Sequence, residues 1–167
     1  MGMNYRDFPL FSQLDDAQLQ SLMKGCREHT YQAGQLVIEE GTQGSEVLFV
    51  AEGQLRVFLR TKLGQQELAK IHAPALVGEL EWLTGDVRMA NVEAVTPTRV
   101  LALPFSALHD CLQEDSKAML KVVFNVGKVV ATRLTAVNRR LAELQEGHAG
   151  SAEMQQLKKK LFAEWSL

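Results

Sequence analysis

Between His29 and Pro104 the sequence alternates apolar and polar residues in short runs separated by glycines, and this pattern constrains the fold more than any other feature. Alternation with a period of two is typical of half-buried β-strands, and glycine between the runs permits tight turns. The expected strands are 36–39, 46–51, 54–59, 66–72, 90–95 and 98–103. They are separated by Gly34, Gly41, Gly44, Gly53, Gly64 and the Thr96-Pro97 turn. Many short strands at this spacing predict a closed all-β sandwich or roll.

Helical patterns flank the β region on both sides. Residues 1–28 predict an irregular arm followed by a helix, in which Asp15 is the N-cap and Gln18 completes a capping box. Gly25 lies near the end of that helix. The organisation expected is one domain with four parts. These are the arm and helix 1–28, the roll 29–104, the C-terminal helices 105–146 and a short amphipathic tail 147–167.

The region 105–146 predicts a short helix over 105–112 and a long helix that starts near Asp115, which is a good N-cap. One apolar stripe of the long helix repeats by three and four residues, as in a coiled coil. Its members are Leu120, Val123, Gly127, Val130, Leu134, Val137, Leu141 and Leu144. A second stripe on a neighbouring face consists of Met119, Val122, Val126 and Val129. The second stripe can cover the roll while the first meets another copy, which predicts a homodimer through 115–146. The alternative is that both stripes belong to the core of one chain.

Composition and charge exclude several function classes. The net charge of −2 argues against a protein that coats nucleic acid, because such proteins normally carry a basic excess. The tail 147–167 is too short for a helix-turn-helix module, and Lys158-Lys159-Lys160 is expected to be a solvated helix face. The N-terminus lacks an apolar signal core, and no run reaches the ~18 apolar residues of a membrane span. A cytoplasmic protein that binds neither membrane nor nucleic acid is therefore expected.

The residues that could support catalysis or bind a metal do not form a recognisable site. Cys26 and Cys111 are isolated from each other, and the four histidines lack metal-ligand spacing. Only His72 is expected to face the interior of the roll. No Gly-x-Ser-x-Gly turn or other nucleophile signature is present. We therefore expect no enzyme activity, no metal and no cofactor.

The segment 77–92 carries the one ligand motif, a Gly78-Glu79-Leu80 sequence followed nine residues after Glu79 by Arg88. It resembles the phosphate-binding cassette of cyclic-nucleotide-binding domains, the family of the catabolite activator protein and the kinase regulatory subunits. The glycine order and the Leu48-Phe49-Val50-Ala51-Glu52-Gly53 stretch resemble the first half of the same roll. The resemblance covers roughly 11–144. It implies a mainly β fold, a double-stranded β-helix or jelly roll, with an N-terminal helix and a long C-terminal helix.

By this resemblance, Arg88 holds the cyclic phosphate and Glu79 accepts from the ribose 2′-hydroxyl. Backbone N–H groups at a helix start and the planar guanidinium are both suited to an anion. The ligand-binding residues implied are Gly78, Glu79, Leu80, Arg88, Met89, Ala90 and Asn91. The chain departs from the family pattern at Glu81, Val87, Met89 and Asn91. A Glu81 carboxylate that points inward would compete with phosphate.

Two functions follow as expectations. The first is a regulatory domain that senses cyclic AMP, cyclic GMP or a similar anionic nucleotide and signals through a dimeric helix. The second is a ligand-free roll that dimerises and docks another protein. In the second case Arg88 would pair with Glu79 across an empty, collapsed cassette and form a purely structural ion pair.

Overall fold

A computed structural model describes residues 5–107, 109 and 117–146. This part of the chain forms two compact units that divide between Val126 and Gly127. The first unit contains the arm, the β-strands, the cassette and the first turns of the long helix. The second unit contains the rest of the long helix.

Two four-stranded antiparallel sheets form the centre of the first unit. The strands are β1 (Arg27–Tyr31), β2 (Leu36–Ile38), β3 (Glu46–Glu52), β4 (Gln54–Thr61), β5 (Gly64–His72), β6 (Ala75–Val77), β7 (Asn91–Ala94) and β8 (Thr98–Pro104). One sheet has the order β1-β8-β3-β6 and the other has the order β2-β7-β4-β5. This arrangement confirms the predicted jelly roll with flanking helices.

The core lies between the two sheets and explains the strand patterns. Successive side chains of a strand point to opposite faces, so Leu48 and Val50 of β3 face the opposite sheet. Val47 and Phe49 are also buried. Phe49 packs against Phe8 and Phe11 of the N-terminal arm, with ring centroids 6.1 and 4.8 Å apart. Because β3 is covered on both faces, its sequence is a continuous apolar run and does not alternate.

The N-terminal arm and helix agree with the capping prediction. Two short 3₁₀ turns, Tyr5–Asp7 and Pro9–Phe11, precede helix α1, Asp16–Lys24. The Asp15 side chain accepts from the backbone N–H of Gln18, whose side chain accepts from the backbone N–H of Asp15. Gly25 caps the C-terminus of α1. Both predictions are confirmed.

The cassette helix α2 spans Glu79–Thr84, and the long helix α3 spans Lys117–Glu146. In the first unit, Met119, Val122 and Val126 are each 1% exposed. Asn125 Nδ2 donates to the carbonyl oxygen of Leu10 at 3.0 Å. Three of the four residues of the second stripe therefore belong to the core of the chain, as both alternatives required, and Val129 is half-buried.

The first apolar stripe remains at the surface of α3. Leu120 is 62% exposed, Leu134 is 46% exposed and Val137 is 63% exposed. Val123 and Val130 are half-buried. We call the five apolar residues Leu120, Val123, Val130, Leu134 and Val137 the α3 seam. The predicted Leu141 and Leu144 side chains, the N-cap Asp115 and the tail 147–167 lie outside the described residues.

Three expectations about the roll differ from the structure. The sequence did not predict β1, whose residues are almost all exposed, or the three-residue strand β6. The roll therefore starts at Arg27 and not at His29, because β1 pairs along one side with β8 and needs no apolar alternation. The expectation for His72 was wrong. This residue ends β5 at the edge of its sheet and its side chain is exposed.

Two further properties of the described residues concern the Cys26 thiol and the apolar length of the helices. Burial raises the pKa of the Cys26 thiol to about 12, which fits a small apolar role and not a reactive one. Within the described ranges, no helix is long and apolar enough to cross a membrane.

Candidate functional site

The cassette begins with a sharp turn from β6 into helix α2. Gly78, the N-cap of α2, has a φ of 80°, and Gly85 at the other end has a φ of 77°. Both angles lie in the left-handed region that disfavours side chains. Six residues of α2 separate the two glycines. The chain then returns towards the loop 41–44, where the backbones of Arg88 and Thr42 are joined by a 2.8 Å hydrogen bond.

This return places the Arg88 guanidinium inside the cassette, where it is 7% exposed. A Cβ atom added at Gly78 would come within 2.4 Å of Arg88 Nη1, and one added at Gly44 would come within 2.9 Å of its Cζ. A side chain at either position would therefore displace the guanidinium from its present contacts. On the C-terminal side, the Arg88 Cζ lies 5.8 Å from the centre of the Phe105 ring.

The Arg88 guanidinium donates to three acceptors in the chain. Nη1 donates to Glu81 Oε2 at 2.8 Å and to the carbonyl oxygen of Gly78 at 3.2 Å. Nη2 donates to the carbonyl oxygen of Glu46 at 2.7 Å. The group that the resemblance assigns to a phosphate is thus bound to a carboxylate and two backbone carbonyls.

The Glu81 carboxylate is the anion that Arg88 Nη1 contacts. Glu81 is 8% exposed, and its Oε1 accepts from the backbone N–H of Met89 at 3.2 Å. Its two oxygens therefore engage two neighbouring donors, the guanidinium of Arg88 and the N–H of the next residue. The sequence predicted a structural ion pair with Glu79, and the ion pair that the structure shows for Arg88 is formed by Glu81.

A second carboxylate engages the predicted ligand residue Asn91. Asn91 is fully buried, and its Nδ2 donates to Glu40 Oε2 at 2.9 Å. In return, the backbone N–H of Glu40 donates to Asn91 Oδ1 at 3.2 Å. The same Glu40 oxygen accepts from the backbone N–H of Arg60 at 3.3 Å. Asn91 therefore joins strands β4 and β7 to the end of β2.

The remaining predicted residues differ in exposure. Glu79 is buried, at 1% exposed, and Ala90 is half-buried. Leu80 is 37% exposed and Met89 is 60% exposed, so both present apolar side chains at the surface. The structure brings Gly78, Arg88 and Met89 together around Glu81. It places Asn91 against Glu40.

Sequence reasoning did not identify four groups that contact these residues: Glu40, Gly44, the Glu46 carbonyl and Phe105. Gly44 belonged to the glycine pattern, and this was the only available signal for it. Glu40 lies 51 residues from Asn91, and a carbonyl acceptor has no sequence signature at all. A close approach between distant segments depends on the register of the sheets, which residue types alone do not define.

The chemistry available here is recognition of an anion. An incoming phosphate must displace the Glu81 carboxylate from Arg88 and from the Met89 N–H. Removing a partner from a buried ion pair costs about 3–5 kcal/mol unless the new ligand replaces its interactions. The geometry therefore favours an anion that can use both donors at once.

The family model described as "Cyclic nucleotide-binding domain" matches residues 28–115. A curated relative, glutaminase 2 of Bradyrhizobium diazoefficiens, is 30% identical over 132 residues, which are 79% of this chain and 20% of the relative. The chain likewise spans only 13% of human cGMP-dependent protein kinase 2. It thus corresponds to a small part of these longer proteins.

Solved structures share the fold. The catabolite activator protein of Thermus thermophilus superposes with a TM-score of 0.70 at 25% identity, over 83% of this chain and 63% of that protein. A regulatory subunit of a cAMP-independent protein kinase A from Trypanosoma brucei superposes at 0.56 and 22% identity, over 74% of this chain and 48% of that one. The latter structure is of a triple variant bound to cAMP. In it a glutamate is replaced by alanine, and a threonine and a valine seven and eight residues further on are replaced by arginine and alanine.

Proposed function

The chain belongs to the cyclic nucleotide-binding domain family, and from that premise we propose a regulatory domain in which a cyclic nucleotide competes with the Glu81 carboxylate for Arg88. The observation that carries this proposal is the 2.8 Å hydrogen bond between Arg88 Nη1 and Glu81 Oε2 inside the cassette. The role proposed is binding and signalling, without catalysis.

Charge determines the strength of binding. A charge-assisted contact from Arg88 contributes roughly 1.5 to 3 kcal/mol to holding a phosphate. A carboxylate that stays about 4 Å from the phosphate costs up to about 4 kcal/mol at an effective dielectric of 20. Glu81 is buried and points towards Arg88, so this penalty applies. We therefore propose weak binding of cyclic AMP or cyclic GMP to the wild-type chain.

The Trypanosoma variant supports this interpretation. Its replaced glutamate, threonine and valine have the same spacing as Glu81, Arg88 and Met89 in this chain, at seven and eight residues. By this spacing, the arginine introduced in that variant corresponds to Arg88, and its two alanines correspond to Glu81 and Met89. By this correspondence, Glu81→Ala is the single change expected to increase nucleotide affinity most.

The output that we propose is a dimer formed through α3. The α3 seam leaves apolar side chains at the surface, and their spacing fits a coiled coil. Nucleotide binding would bias the dimer only as far as the two arrangements of the cassette differ in affinity for the ligand.

A second function is a ligand-independent module that dimerises and docks another protein. It is favoured by one observation: among the described residues, no buried side-chain nitrogen or oxygen lacks a hydrogen-bond partner. A cassette that is already satisfied has no need of a ligand to become ordered.

Titration calorimetry with cyclic AMP and cyclic GMP tests the proposal. We expect weak binding by the wild-type chain, binding at least about tenfold tighter in Glu81→Ala, and none in Arg88→Ala. Glu93→Ala is the matched control, because it removes a carboxylate from an arginine outside the cassette. Tight wild-type binding that survives Arg88→Ala would refute the site. Absence of binding even in Glu81→Ala would leave the ligand-independent module.

A further inference from the structure

The two oxygens of the Glu81 carboxylate contact two donors that lie next to each other in the sequence. Oε2 accepts from Arg88 Nη1 at 2.8 Å, and Oε1 accepts from the Met89 N–H at 3.2 Å. A bound phosphate would also present two oxygens of one anion to a guanidinium and a neighbouring backbone N–H. The carboxylate thus satisfies the donors in the manner of a ligand.

From this geometry we infer that Glu81 is a built-in anionic ligand that keeps the cassette ordered when no nucleotide is bound. This inference rests on the proposed function, because it assumes that the same donors receive the phosphate. In addition to competing with the phosphate, Glu81 replaces the ligand in organising the cassette.

The order that Glu81 maintains extends beyond the ion pair. With Glu81 in place, Arg88 also holds the carbonyls of Gly78 and Glu46, and so connects α2 to the start of β3. The Arg88 guanidinium lies near the ring of Phe105, whose backbone N–H donates to the carbonyl of Ser45 at 2.8 Å. Phe105 directly follows β8 and begins the helical residues 105–107.

Because Glu81 already occupies the donors, the nucleotide is not required to order the cassette. In a cassette with a small residue at position 81, Arg88 would lose the carboxylate that Nη1 now contacts until a nucleotide arrived, so order would depend on the ligand. With Glu81, the anion is always present and the wild-type cassette is ordered independently of nucleotide. Replacement of Glu81 should therefore convert a permanently ordered cassette into a ligand-dependent one.

Hydrogen exchange on the full chain tests this inference without any nucleotide. The Met89 amide should exchange about tenfold faster or more in Glu81→Ala than in the wild type, because it loses its acceptor. The amides of β3 and α1 should stay strongly protected, which shows that the variant is folded. Glu81→Gln is the second variant, because it keeps the size of the side chain but not its charge. An unchanged Met89 rate in both variants would overturn the inference.

Chemical rescue identifies the carboxylate as the ligand. Acetate at about 0.1 M should slow Met89 exchange in Glu81→Ala, whereas chloride at matched ionic strength should not. Acetate should have no effect in the wild type or in the Glu81→Ala, Arg88→Ala double variant. Equal effects of acetate and chloride would overturn the inference. Rescue by acetate with no binding of cyclic AMP would support it and refute the proposed function alone.

Discussion

The cassette and the α3 seam differ in whether their side chains find partners within the chain. In the cassette, the buried charge of Arg88 finds a carboxylate and two carbonyls within the same chain. Along α3, by contrast, Leu134 and Val137 are 46% and 63% exposed although their spacing is that of a buried coiled-coil face. The charged groups of the cassette are paired within the chain, whereas the apolar face of α3 is exposed to water.

From this difference we infer where a second molecule would contribute most to stability. A cyclic nucleotide must replace interactions that already exist, so its net gain is small. A second copy of α3 would cover apolar surface that is now exposed to water, at a gain of roughly 25 cal/mol for each Å² buried. We therefore expect assembly to depend more on the seam than on the ligand.

The largest effect is expected at the seam. Replacement of Leu134 and Val137 by lysine should convert a dimer of the 18.6 kDa chain into folded monomers, because two charges would be buried in each helix of the contact. Sedimentation velocity at micromolar concentration measures this change. The paired control is lysine at Thr132 and Ala136, which are exposed on the same helix but outside the seam. A wild-type chain that sediments as a monomer would eliminate the seam as an interface.

The fold could be predicted from the sequence more completely than the site, because the fold depends more on local patterns. The β-rich centre and the two stripes follow from periodicity, which is local: Met119, Val122 and Leu134 can be assigned to faces by spacing alone. The jelly roll itself was implied by the family resemblance. The pairing of Arg88 with Glu81 depends on the side-chain direction within a six-residue helix between two left-handed glycines. Residue types revealed that Glu81 could compete with phosphate. They did not show that it points inward.

An intermediate effect is expected for the buried ion pair. Glu81→Ala and Arg88→Ala should each lower the free energy of unfolding by about 3–5 kcal/mol, since each leaves a buried charge without its partner. Arg88→Ala should cost more, because it also removes two hydrogen bonds to carbonyls. The double variant should be destabilised by roughly 2 to 3 kcal/mol less than the sum. Urea unfolding of the four proteins gives these values, and additive losses would mean that the two side chains do not interact.

The smallest effect is expected at the second arginine–glutamate pair, Arg56 with Glu93. Its geometry is as good as that of the cassette pair: Arg56 Nε donates to Glu93 Oε1 at 2.9 Å and Nη2 donates to Oε2 at 3.2 Å. The two side chains, however, are 28% and 22% exposed, against 7% and 8% for Arg88 and Glu81. Water can therefore solvate either charge after its partner is removed, and salt screens the attraction between them. Glu93→Ala should lower the melting temperature by about 2 °C or less, and the change should shrink as salt is added. A thermal scan at two salt concentrations measures both quantities. If Glu93→Ala destabilised the chain as much as Glu81→Ala, burial would not determine how much each ion pair contributes to stability. The cassette pair would then be no more important to stability than the more exposed pair.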